Sequence, residues 1–185
     1  MTRGIIWLAA AGLFALATHL AYVLFLPRYE MSRLMEEAAS IVGINTFAVL
    51  EKSQQEAILK ASSRTGVAGV CPFDLKDGAL VFDAMLPDGI WSFSIYSEDG
   101  RDAYAIDEAQ AGTNRFRLTL KQSPGLIGML LGEGSDGAAV SEGWTAAMPS
   151  RRGLAILWVA LEDRALRPAY ADVLKQSTCR IERQS

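Results

Sequence analysis

The chain opens on an unbroken apolar run: residues 4–26, GIIWLAAAGLFALATHLAYVLFL, carry no formal charge. At about 1.5 Å per residue, a helix over this stretch reaches roughly 34 Å, enough to cross a hydrocarbon core of about 30 Å. Arg3 precedes the run, Trp7 stands near one interface, and Tyr22 and Tyr29 stand near the other. Pro27-Arg28 is expected to break the helix and to stop it with a charge. A cleaved secretory signal has an apolar core of about 7 to 15 residues followed by a small-x-small site. Here the alanine triplets lie inside the run and its end, Val23-Leu24-Phe25-Leu26, is bulky, so the run reads as a retained single-pass anchor. His19 is a polar residue within that span. It is a candidate contact to a partner helix, although an imidazole near a helix end also reaches interfacial water, which is the preferred reading.

After the run the period changes twice. Met31, Leu34, Met35, Ala38, Ile41 and Val42 follow helical spacing, with Arg33, Glu36, Glu37 and Ser40 on the opposite side, and predict an amphipathic helix leaving the membrane. Ser53 and Glu56 match a capping box before a second short helix, and the polar stretch 62–66 reads as a boundary loop. Then Lys76-Asp77-Gly78, Pro87-Asp88-Gly89 and Glu98-Asp99-Gly100 supply three hairpin-type turns, with Gly offering the positive φ that such loops use. The segments around them alternate: Leu80, Phe82 and Ala84; Trp91, Phe93 and Ile95; Phe116, Leu118 and Leu120 each form one apolar face. Strands at 67–75, 79–86, 90–97, 102–106 and 115–120 are therefore expected to form an antiparallel meander. Residues 154–161, LAILWVAL, are apolar on both alternations and predict a central strand covered on each face. A short helix at 123–131, a helix from Pro168 to about residue 175 and a last strand at 178–182 complete the pattern. The fold class is α+β: one N-terminal transmembrane helix, then an antiparallel β-sandwich-like domain with flanking helices. The division expected is 1–29 anchor, 30–64 juxtamembrane helical segment and 65–185 β-rich domain.

Composition narrows the chemistry. A net charge of -3 over 185 residues gives no nucleic-acid footprint, and 50% apolar residues exclude a disordered chain. Charges flanking the run are nearly balanced, Arg3 against Arg28 and Arg33, so they orient it weakly. The preferred arrangement is a short tail inside a bacterial inner membrane with the large domain in the periplasm. Cys71 and Cys179 are too far apart in the chain for a short metal-binding pair, and His19 is the sole histidine, so no metal site and no cofactor are expected. In an oxidising compartment the two cysteines are expected to pair; two buried free thiols are the alternative.

Without a histidine outside the membrane, Ser-His-Asp and Cys-His catalysis are unavailable. Asp99, Asp102, Asp107 and Glu108 cluster near one turn, where acids are usually solvated. Residues 132–137, GEGSDG, match a dinucleotide-loop glycine pattern but lack the βαβ context, and read as a surface loop. Trp91, Tyr96, Arg101 and Tyr104 are the candidate ligand-binding group, a set of rings and a guanidinium at one end of the sheet, with core packing the competing account of Trp91.

The ordered set His19-x7-Pro27-Arg28, Cys71-Pro72-Phe73-Asp74-Leu75-x2-Gly78, Trp91-Ser92-x3-Tyr96-x3-Gly100-x3-Tyr104, Arg152-Gly153-Leu154 and Cys179 resembles small alphaproteobacterial membrane proteins grouped as domain of unknown function 1254. The likeness covers nearly the whole chain. It implies one inner-membrane anchor, a periplasmic β-rich domain and no established activity. Asp107 and Leu157-Trp158 depart from its Asn and Arg positions. The function expected is a tethered domain that binds an envelope partner or a small ligand without catalysis; the alternative is a histidine-free carboxylate hydrolase of envelope polymers.

Overall fold

The computed structural model describes residues 2–59, 65–123 and 143–182. Its first element, α1 (Thr2–Val42), is one continuous helix of 41 residues with Pro27 inside it. The break expected at Pro27-Arg28 does not occur. Proline forfeits the single ladder bond its N–H would make, and here helix formers on both sides and packing beyond it carry the helix through. The two halves of α1 meet different surroundings. Trp7 is 76% and Phe14 75% exposed, whereas Met35 is 3% exposed and Ala38 wholly buried.

The domain that follows is built from two packed sheets. The first has the order β1 (Ala48–Val49), β2 (Gly66–Asp74), β8 (Arg152–Ala160), β4 (Trp91–Ser97), β5 (Asp102–Asp107). The second runs β7 (Trp144–Met148), β6 (Arg115–Gln122), β3 (Ala79–Met85), β9 (Thr178–Glu182). All pairings are antiparallel except β6 with β7. Each predicted alternation holds, with Leu80, Phe82, Trp91, Phe93, Phe116 and Leu118 turned into the core between the sheets. There Phe82 lies 4.5 Å from Phe93 and Trp91 stacks on Phe116 at 5.5 Å, ring to ring.

The meander itself does not form. The chain passes from one sheet to the other at Lys76-Asp77-Gly78 and again at Pro87-Asp88-Gly89, and only Glu98-Asp99-Gly100 closes a hairpin, between β4 and β5. All three glycines do adopt positive φ, at 143°, 130° and 81°. A turn dictates that the chain reverses, but whether the next strand pairs sideways or crosses the sandwich depends on partners far away in sequence. In this fold β8 is the far partner: it enters between β2 and β4 and pairs with both.

The central-strand reading of residues 154–161 agrees with the position of β8. Ala155, Leu157 and Val159 join the inter-sheet core, while Leu154 and Ile156 face the opposite way, toward α1. Its neighbour β2 is buried from Gly66 to Phe73 for the same reason. At Gly69 a Cβ would overlap the Phe47 ring, which crosses there to reach Phe82 at 5.3 Å.

The short helices close the ends. In α2 (Lys52–Ile58) the cap is Glu51 with Gln54, whose Oε1 accepts from the Glu51 N–H at 2.9 Å, two residues before the Ser53–Glu56 pair expected. α3 (Glu108–Ala111) begins at Asp107, whose carboxylate accepts from the Gln110 N–H at 3.0 Å. α4 (Arg167–Leu174) begins one residue before the expected start, with Pro168 in its first turn. The helix expected at 123–131, the loop at 132–137 and most of the 62–66 loop lie outside the described residues.

Cys71 on β2 and Cys179 on β9 are joined as a disulfide, Cα to Cα 6.5 Å, which ties one sheet to the other across 108 positions of chain. Closing a loop of that size stabilises a fold by about 4.7 kcal/mol in the chain-entropy picture. Reduction, or the Cys71→Ala/Cys179→Ala double substitution, should therefore lower stability in detergent by about 2–5 kcal/mol, read from denaturant unfolding of the full chain. Met35→Ala should cost about 2–5 kcal/mol in the same measurement, as buried methionines do. Leu13→Ala, in the exposed half of the same helix, should leave the unfolding of the domain unchanged.

Candidate functional site: a groove between helix and sheet

The second half of α1 lies on the outer face of the first sheet. Met31, Met35 and Ala38, spaced for one helix face, pack with Leu50, Ile58, Val70 and Leu154, and Leu34, Tyr96 and Ile156 border the cluster. Two side branches fix the seam. The β4–β5 hairpin approaches the helix so closely that a Cβ at Gly100 would stand 3.2 Å from the Pro27 carbonyl oxygen. On the other flank, α2 is held by a buried amide: Gln55 donates from Nε2 to the Gly66 carbonyl at 3.0 Å. Arg167 donates to that same carbonyl at 2.6 Å and to Gln55 Oε1 at 3.4 Å.

Between these supports the seam is left open as a groove of about 620 Å³, walled by Met31 and Leu34 on α1, Ile58 and Leu59 at the end of α2, and Tyr96 and Ile156 on the sheet. Glu30, Arg33 and Glu37 also line it. Ligand clefts of about 300–1,000 Å³ with mostly apolar walls and a few polar groups are the common type for small molecules.

The four residues expected to bind a ligand are not gathered into one pocket. Trp91 is 1% exposed and belongs to the inter-sheet core, its Nε1 without a hydrogen-bond partner among the described residues. Tyr104, opposite Ile95, packs against that core, and burial pushes its phenol up from the usual value. Tyr96 points to the other face and lines the groove. Arg101 is exposed and paired with Asp99 beside a second cleft, of about 530 Å³, that Arg28 and Ser150 also line. Strand alternation separates the rings: positions 91 and 95 share one face of β4 and position 96 the other. His19 stands in the exposed half of α1, away from the domain.

Sequence reasoning missed the groove's flank. Gln55 looks like an ordinary polar helix position, and only its amide contacts to Gly66 and Arg167 reveal its place. The signal that was present is the Met31-Leu34-Met35-Ala38 stripe, which announces an apolar partner without naming it.

The clustered acids serve local structure. Asp107 caps α3, and Asp99 accepts from Ser97 Oγ; that hydrogen bond and the Arg101 guanidinium hold its carboxyl below the usual range against the opposing effect of burial. Outside the predicted set, Asp83 on β3 is gripped by two arginines of the paired strand β6, Arg117 Nη2 at 2.7 Å and Arg115 Nε at 3.3 Å. Burial raises the Asp83 pKa, but both arginines outweigh it and leave the group below the ordinary 3.8. Among the described residues no three His, Cys, Asp or Glu side chains converge on a common point.

Comparison with known proteins returns fold likeness alone. No protein-family model matches the chain, and no curated protein does. The VPA0106 protein from Vibrio parahaemolyticus has a similar crystal structure, with a TM-score of 0.62 at 13% identity over 87% of this chain. An uncharacterized protein from Burkholderia cenocepacia matches with a TM-score of 0.50 at 12% identity over 79%. This chain spans only 37% and 38% of the lengths of those two proteins, so it corresponds to a part of each.

A lowered carboxylate pKa contributes stability above the unfolded value and loses it as pH falls through the folded one. Asp83→Asn should therefore cost roughly 1–2 kcal/mol at neutral pH. The gap between variant and wild type should close as pH drops below about 4, read from unfolding curves at a series of pH values.

Proposed function

We propose that the chain is a single-pass inner-membrane protein whose β-rich domain stands in the periplasm and binds an envelope partner or small ligand at the groove beside α1, without turning it over. The observation that carries this reading is the change of surroundings along one helix. Its apolar first half is exposed among the described residues, and its second half, from Met31 onward, is part of the domain's core. An exposed apolar helix of that length needs lipid, because water cannot accommodate such a surface. The same helix then sets the domain at the bilayer, with Pro27, the residue after the apolar run, among those that line the groove.

The disulfide supports an oxidising compartment, since such bonds rarely persist in a cytosol. Binding rather than hydrolysis is favoured by two of the carboxylates: Asp83 is held down by Arg117 and Arg115, and Asp99 by the Ser97 hydroxyl and Arg101, whereas a general acid needs a raised pKa. The motifs that resemble domain of unknown function 1254 are matched by no family model and add no activity.

Full-length chain should stay with vesicles through an alkaline wash, and chain lacking residues 1–26 should be released. The two thiols should resist alkylation in intact cells until a reductant is added. Release of the full chain by the wash, or mature protein trimmed of its apolar stretch, would overturn the tethered reading.

A further inference from the structure

We propose that the groove beside α1 holds one acyl chain of a neighbouring phospholipid, and that its rim selects a zwitterionic headgroup with a primary ammonium, the phosphatidylethanolamine type. This rests on the reading of residues 4–26 as a membrane anchor.

Three observations lead there. The first is continuity. Pro27, the residue after the apolar run, and Met31 and Leu34 beyond it all line the groove on the same unbroken helix, so a hydrocarbon chain lying along the anchor is led toward the groove's apolar wall. The second is the wall. Met31, Leu34, Ile58, Leu59 and Ile156 offer hydrocarbon, and beside them Tyr96 brings a ring with a single hydroxyl, which suits a methylene chain better than a peptide or a sugar.

The third is charge. Glu30, Arg33 and Glu37 recur at intervals of three and four residues, so they stand on one helix face, and all three line the groove. None of the three is in an ion pair among the described residues. A carboxylate accepts hydrogen bonds from a primary ammonium, and a guanidinium matches a phosphate. Two carboxylates beside one guanidinium thus complement an ammonium-phosphate headgroup. They repel a purely anionic one, and a choline group has no N–H to donate.

The test uses full-length chain in vesicles of mixed phosphatidylethanolamine, phosphatidylglycerol and phosphatidylcholine. Each lipid in turn carries a photoactivatable diazirine on its acyl chain, and adducts are mapped by mass spectrometry after digestion. Adducts from the ethanolamine lipid should appear at Leu34, Ile58 or Ile156 with several-fold higher yield than from the other two. Leu34→Arg should remove them while adducts within residues 4–26 persist. The exposed Glu30→Gln/Glu37→Gln double variant, which leaves the apolar wall intact, should keep the groove adducts and reduce the headgroup preference to about even. Adducts confined to residues 4–26 in the wild-type chain would overturn the lipid proposal and leave the anchor standing. Groove adducts of equal yield from all three lipids would overturn the headgroup selection, and absence of adducts anywhere would overturn the anchor.

Discussion

One helix carries two kinds of surface, a bare apolar half and a half built into the domain, and the contact that divides them is the stripe of Met31, Met35 and Ala38 on the outer face of β2 and β8. Remove that contact and α1 is an apolar rod with a polar tail, and the first sheet has a bare apolar face. With it, Val70 and Leu154 are covered, β2 is buried on both sides, and the domain takes a fixed place on the helix. Burial of each such side chain contributes about 1.5–3 kcal/mol, so the seam is a substantial part of a domain stability of about 5–15 kcal/mol. Small residues make it fit: Ala38 lets the helix approach, and Gly100 lets the β4–β5 hairpin reach the Pro27 carbonyl.

The sandwich is organised around the opposite face of the same strands. Phe82, Phe93, Phe116 and Trp91 form a connected set of rings between the sheets, and the disulfide joins β2 to β9 at its margin. Since β2 and β8 contribute to both layers, helix, first sheet and second sheet form one continuous stack. The groove is a consequence of that stacking. A helix crossing a twisted sheet cannot contact it along its whole length, and here the gap falls between the supports given by Gly100 on one side and Gln55 on the other.

Much of the fold was legible locally. Alternation assigned the inward residues of β3, β4 and β6, the doubly apolar run marked β8 as a central strand, and the three Asp-Gly turns have the backbone geometry their residues prefer. Pairing was not legible, because turn chemistry acts over four residues whereas β8 reaches its neighbours across more than half the domain. Pro27 misled for a related reason: its local cost is a lost ladder bond and a clash of its ring with the preceding turn, and tertiary packing at Met31 and Met35 opposes that cost. The candidate site was visible only in fragments. Tyr96 was singled out, but with Trp91, which strand alternation places on the other face.

By itself the sequence determined the properties that depend on composition and period: an apolar helix long enough for a bilayer, strands with one dry face, turns with positive φ at glycine, and an amphipathic stripe after the apolar run. Only the tertiary structure decided what that stripe covers, which strands are neighbours, that Cys71 and Cys179 meet, and where the groove lies. The physical reason is range. Steric and solvation preferences act on neighbouring residues and can be read from them, whereas a seam exists only once two surfaces distant in the chain are brought together and fail to match along their full length.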